Sequence, residues 1–192
     1  YAIGPEARID AQTAPFPPAV VPIQGMCWML RSASGRALLI DPYCDDATRK
    51  AAALVESGEV AGFDGIWITH YHSDHVEGAE LARSLFGCPV ITDRIMADVI
   101  AHPESYLLTC LSPKRVTVDR PTRHGETWKW QEYTLTAYHF PGQTHYHSGL
   151  LAEADGGENC FFAGDSFTPT GMDDYCSWNR NFLEPGAGYD AC

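Results

Sequence analysis

Gly65-Ile66-Trp67-Ile68-Thr69 is a short apolar run of buried-strand type, and it leads directly into His70-Tyr71-His72-Ser73-Asp74-His75. Side chains two apart on an extended strand share one side, so His70 and His72 point together, while the following turn swings Asp74 and His75 beside them. Four ligand-type side chains thus converge within six residues. Zinc and similar divalent ions take imidazole nitrogen and carboxylate oxygen, and a catalytic site leaves one coordination position to water. Two ions about 3.5–4 Å apart can act together on one reacting centre, and a single cluster cannot hold both. The further candidates are His145 and His147 in Pro141-Gly142-Gln143-Thr144-His145-Tyr146-His147-Ser148-Gly149, and Asp165 in Phe161-Phe162-Ala163-Gly164-Asp165-Ser166. Asp165 ends an apolar strand, where an unpaired carboxylate is costly unless it meets a cation.

Upstream of the motif, Met26 to Arg31 and Arg36 to Ile40 read as a hairpin around Ser32-Gly35, the second strand ending in Asp41-Pro42. Asp46 to Ser57 has helical periodicity with Gly58 just past its end, and Val76 to Phe86 has it again, ending at Gly87. Pro89 to Thr92 is a short strand, Arg94 to Ala101 a helix, and 102–114 a loop. From Arg115 onward the pattern turns to β segments: Val116 to Val118, Thr127 to Trp130, Tyr133 to Phe140, Ser148 to Glu153 and Asn159 to Ala163. Mixed strands and helices in this order fit two sheets flanked by helices and exclude a helical bundle.

The 192 residues suit one domain, 1–192, and Pro5, Pro15, Pro17, Pro18 and Pro22 make residues 1–22 an extended arm. With 45% hydrophobic and 20% charged residues the chain can bury a core. A net charge of −12 repels phosphate backbones and anionic membranes, which argues against nucleic acid and membrane partners and for a small-molecule substrate. No run of about 18 apolar residues occurs. Seven cysteines, at 27, 44, 88, 110, 160, 176 and 192, form no C-x-x-C pair and read as thiols of a reducing compartment, so a cytoplasmic location is expected. The first residue is Tyr1 rather than Met, which sets the expectation that the chain is a trimmed part of a longer one.

Thr69-His70-Tyr71-His72-Ser73-Asp74-His75-Val76-Glu77-Gly78 resembles the H-x-H-x-D-H signature of the metallo-β-lactamase-fold hydrolases. Leu39-Ile40-Asp41 is similar to that family's early strand-end aspartate, Pro141-Gly142-Gln143-Thr144 to its P-G-H-T loop, and Phe162-Ala163-Gly164-Asp165 to its strand-end G-D. Together these marks cover roughly residues 25–170. The resemblance implies an α+β fold, an αβ/βα sandwich of two mixed β-sheets flanked by helices, with a binuclear metal site along one edge. It implies that His70 and His72 hold a first metal, Asp74 and His75 a second, and that Asp165 bridges them. Asp41 would steady His70 or His72 by its other ring nitrogen.

Two departures from the family pattern stand out. The loop histidine falls on Gln143, a poor metal ligand, so a third imidazole must come from His145 or His147; His147, directly before Ser148-Gly149, is slightly favoured. No histidine follows His147, although the family usually adds a last one well after the bridging aspartate. The expectation is a C-terminally truncated domain whose site is completed by the remainder of a longer chain or by an oligomer, or a site that holds one metal. The resemblance implies a hydrolase with one or two zinc ions, in which a metal-bound hydroxide oriented by Asp74 cleaves an ester, thioester, lactone or amide-type bond. The alternatives are a mononuclear iron oxygenase akin to sulfur dioxygenases, with His70, a second His and Asp165 as ligands, and a non-catalytic metal-binding domain.

Overall fold

Strand residues that alternate between two apolar environments set the architecture. In the computed structural model, which describes residues 19–157 and 159–166, Leu39, Ile66 and Ile68 enter one buried cluster, while Leu38, Ile40 and Trp67 enter a second on the opposite face. A sheet buried on both faces must carry apolar side chains on both. The expected arm's residues 1–18, together with Cys176 and Cys192, lie outside the described residues.

The first sheet contains β1 (Val20–Gln24), β2 (Cys27–Arg31), β3 (Arg36–Ile40), β4 (Gly62–Trp67), β5 (Val90–Asp93) and β6 (Arg120–Thr122), in that spatial order. The pairs from β1 to β3 are antiparallel and those from β3 to β6 parallel. Helices α1 (Asp45–Glu56), α2 (Ser73–Val76), α3 (Ala79–Phe86) and α4 (Arg94–Ala101) supply the crossovers. Their apolar residues, among them Ala47, Ala51, Val76, Ala82, Met96 and Val99, fill the first cluster. The second sheet, β10 (Cys160–Phe162), β9 (Ser148–Ala154), β8 (Tyr133–His139) and β7 (Glu126–Trp130), lays Tyr133, Leu135, Ala137, Leu150 and Ala152 against Leu38, Ile40 and Trp67. Each such aliphatic side chain removed from water contributes about 1.5–3 kcal/mol. Asp64 also links the sheets, accepting from Arg36 Nε at 2.8 Å and from Trp130 Nε1 at 2.9 Å.

The sandwich is the expected one, with differences in detail. The second sheet is wholly antiparallel among its described strands rather than mixed, because each strand returns directly beside the one before it. The end of the arm is itself an edge strand, β1, where Pro22 is tolerated because an edge residue needs no ladder donor. Val116 to Val118 is not a strand: Val116 donates its N–H to Ile100 at 2.8 Å and buries its side chain under the helices, and pairing with β5 begins only at Arg120. The helix expected from Val76 to Phe86 is broken at Gly78, whose N–H donates to Pro42 O at 2.7 Å. A Cβ there would lie 2.5 Å from Cys44 O, so only glycine lets the turn dock on the start of α1. No helix among the described residues is long and apolar enough to cross a membrane.

Candidate metal centre

The carboxyl ends of β3 and β4 place Asp41 and Thr69 next to one another, since Asp41 N donates to Trp67 O at 3.0 Å. Asp41 is 3% exposed and has a left-handed φ of 48°, a conformation that aspartate adopts more readily than most residues. Its Oδ1 accepts from Thr69 N at 2.8 Å, and its Oδ2 accepts from Thr69 Oγ1 at 2.7 Å and from His75 Nδ1 at 2.9 Å. This differs from the expectation that Asp41 holds His70 or His72. It reaches His75 directly, because the short α2 turns that ring back over the strand end.

Thr69 extends the same network. Its hydroxyl proton is committed to Asp41, so its oxygen accepts from His70 Nδ1, 3.1 Å away. The proton of His70 therefore sits on Nδ1 and the Nε2 lone pair faces inward; the bond from His75 Nδ1 to Asp41 orients that ring with Nε2 toward Asp165. Thr69 was not singled out from the sequence, and its only signal there is its place just before His70.

Asp165 lies on a 3-10 turn, Gly164–Ser166, that follows β10. Its Oδ1 is 3.4 Å from His75 Nε2 and its Oδ2 is 4.0 Å from His70 Nε2. One donor atom from each of His70, His75 and Asp165 lies within 4.8 Å of the other two. Gln143, buried in the position of the family's loop histidine, donates from Nε2 to Asp165 Oδ2 at 3.3 Å. The glutamine thus orients the carboxylate.

The remaining expected residues separate by burial. His147 is completely buried, pairs as an isolated bridge with His70 and stacks on its ring at 4.5 Å with an 11° tilt. Neither ring nitrogen of His147 has a hydrogen-bond partner among the described residues. His72 caps α2, and its ring meets that of His70 edge-on at 4.5 Å. His145 is exposed, with its ring 5.5 Å from that of His139. Asp74, also exposed, stands in the first turn of α2 and is not one of the three clustered ligands.

The electrostatics follow from this packing. Burial first, then the neighbouring His75, His147 and His72, drive His70 well below its ordinary pKa, and burial followed by His75 brings His147 down to about 3. For His75 burial acts the same way, but Asp41 and Asp165 on its two sides outweigh it and raise the pKa to about 10. Burial would raise the Asp165 carboxyl, yet His75 beside it holds it below the usual range. Neutral imidazoles at His70 and His147, the Asp165 carboxylate and ring nitrogens of His70, His75 and His147 that have no hydrogen-bond partner among the described residues fit a divalent cation, which would take the place of the His75 proton and satisfy donors that otherwise carry a desolvation cost.

Comparisons with known proteins bear on the fold. A family model described as the metallo-beta-lactamase superfamily matches residues 20–183. The Cronobacter sakazakii (Enterobacter sakazakii) metallo-beta-lactamase with the HARLDQ motif is similar at 20% identity and a TM-score of 0.72, over 92% of this chain and 72% of that one. The subclass B3 enzyme BJP-1 of Bradyrhizobium japonicum is similar at 19% identity and a TM-score of 0.56, over 81% of this chain and 64% of that one. The class B3 di-zinc enzyme LRA-12 from an Alaskan soil metagenome is 15% identical with a TM-score of 0.59, over 76% of this chain and 61% of that one. The chain spans 62% of the length of a mutant form of the Cronobacter protein. No curated protein matches. Identities this low speak for the fold alone, and it is the family match over most of the sequence, on a sandwich with its histidines at the strand ends, that shows the chain to be a member of the metallo-beta-lactamase superfamily.

Proposed function

We propose that the chain is a metal-dependent hydrolase that cleaves an ester, thioester, lactone or amide-type bond in a small molecule. The observation that carries this reading is the convergence of His70, His75 and Asp165, with both imidazoles fixed by the buried Asp41–Thr69 network so that their Nε2 atoms face one point, where a cation would replace the proton of His75. A divalent ion, with zinc the best match to nitrogen and carboxylate donors, supplies Lewis acidity and lowers the pKa of a coordinated water toward neutrality.

His70, His75 and Asp165 would hold the ion, and His147, whose nitrogens have no hydrogen-bond partner among the described residues, would complete the nitrogen set together with His72. Gln143 keeps Asp165 turned inward. Asp74, on the solvent side of α2, is assigned the second-ion and water-orienting role. A last ligand from further sequence or from a second copy of the chain would complete a second ion. The acidic charge favours a neutral small molecule over nucleic acid or a membrane surface, and the thiols of Cys27, Cys44, Cys88 and Cys160 suit the cytoplasm.

Purified chain loaded with zinc should hydrolyse members of a panel of small esters, thioesters and lactones, lose the activity on chelation and regain it with zinc. Hydrolysis indifferent to chelation would contradict the reading. The same two-His, one-carboxylate set supports a second one, a mononuclear iron oxygenase. Oxygen consumption by the iron-loaded chain with a thiol substrate, and no hydrolysis with zinc, would select it.

A further inference from the structure

Next to the metal centre, the loop after α4 and the segment His145-Tyr146 enclose an open cleft of about 790 Å3. Leu107, Leu108, Leu111, Tyr106 and Tyr146 give its lining an apolar part, beside the polar Glu104, Thr109, Ser112 and His145. Leu107 is fully exposed at 105%, and Leu108 and Tyr106 are only partly covered. A single exposed leucine is ordinary, but several apolar side chains on one concave wall form a surface that water covers at a cost.

The cleft is joined to the centre by backbone and by rings. Leu111 pairs with His72 as an isolated bridge, and Ser73 N donates to Cys110 O at 3.0 Å. From His72 a row of near-perpendicular ring contacts runs outward, to Tyr71 at 4.9 Å, from Tyr71 to Tyr146 at 6.1 Å, and from Tyr146 to Tyr106 at 6.2 Å. Tyr106 is held at the far end by its hydroxyl, which donates to Asp98, a carboxylate that also takes His102 Nδ1 at 3.0 Å. The wall is therefore built before any ligand arrives.

Its electrostatics select against charge. Among the described residues the one charged side chain on the lining is Glu104, whose carboxylate is already paired with Arg115 at 2.6 Å. Among the described residues no lysine or arginine lines the cleft to meet an anionic substituent. The volume lies inside the range of about 300–1,000 Å3 typical of small-molecule sites.

We propose that this cleft is the specificity pocket of the enzyme and takes the uncharged apolar acyl or aryl part of the substrate, with the reacting bond at His70, His75 and Asp165. It rests on the hydrolase reading only for which bond reacts; the recognition of an apolar chain stands on the cleft alone.

Binding is tested on the full chain with labelled leucine methyl groups, by magnetic resonance titration with methyl ethyl ketone and methyl hexyl ketone, which cannot be hydrolysed. The longer ketone should shift the Leu107, Leu108 and Leu111 methyl signals in a saturable way, with affinity rising about fourfold for each methylene buried. Leu107→Ser should reduce that gain. Absence of saturable shifts at these leucines, or equal affinity for the two ketones, would overturn the proposal. In parallel, p-nitrophenyl octanoate should exceed p-nitrophenyl acetate in kcat/KM through a lower KM. Hydrolysis with no chain-length preference overturns the cleft and spares the hydrolase; ketone binding without hydrolysis of either ester does the reverse.

Discussion

His70 and His75 stand at the carboxyl end of parallel strands buried on both faces, whereas Gln143, His147 and Asp165 come from a loop and a short turn that join and follow strands of the second sheet. The first group is locked by five bonds of 2.7–3.1 Å among Asp41, Thr69, His70, His75 and Trp67. The second depends on close backbone approach: Gly164 has φ 53°, and a Cβ there would lie 2.5 Å from Thr69 Oγ1 and 2.6 Å from His147 Cε1. Asp165 also keeps 27% of its side chain exposed, against 2% for His75. One half of the centre is thus organised by buried hydrogen bonds and the other by fit.

The sharpest way to break the first half is Asp41→Ala. It strands three donors in a buried site and should cost about 3–5 kcal/mol in denaturant unfolding, together with a loss of metal affinity. A cost below about 1 kcal/mol would mean that the network is incidental. For the second half, Gly164→Ala should cost about 1–3 kcal/mol through overpacking and should displace Asp165. His147→Ala should weaken zinc binding by about tenfold or more, while His145→Ala, altering an exposed ring, should leave it near the parent value. Calorimetric titration of both variants decides between the two histidines.

The smallest effect concerns the contact between the sheets. Burial would raise the Asp64 carboxyl, but the bonds from Arg36 and Trp130 outweigh it and hold its pKa below the usual value. A depressed carboxylate adds stability above its unfolded pKa of about 3.9, and that stability fades as pH falls through the folded value. Asp64→Asn should therefore cost about 1 kcal/mol near neutral pH, discounted for partial exposure, and the gap to the parent should close on acidification. Thermal melts from neutral pH to pH 3 would show a constant gap if Asp64 contributes nothing.

How much of this was legible in the sequence depends on how local the determinants are. The strand-then-turn motif at residues 65–75 encodes its own geometry, since ligand spacing and strand period lie within one segment. The half-buried position of Asp165 was readable from a carboxylate at the end of an apolar run. The partner of Asp41 was not, because α2 ends after four residues and Gly78 turns the chain against α1, a contact 36 residues away from Pro42 in sequence. Val116 misled for a similar reason: its apolar alternation serves the helix layer and its N–H bonds Ile100 rather than a strand. The role of Gln143 was also hidden, since a glutamine in a ligand position reads as a loss until its bond to Asp165 is seen.

The central claim is that His70, His75 and Asp165 form a metal centre prepared by Asp41. Elemental analysis of the purified 192-residue chain after equilibration with zinc and removal of free ion, set beside the His75→Ala and Asp165→Ala variants, tests it most directly. The account predicts at least one ion retained by the parent and none at this centre in either variant. A parent that retains no ion, or variants that retain as much as the parent, would contradict it.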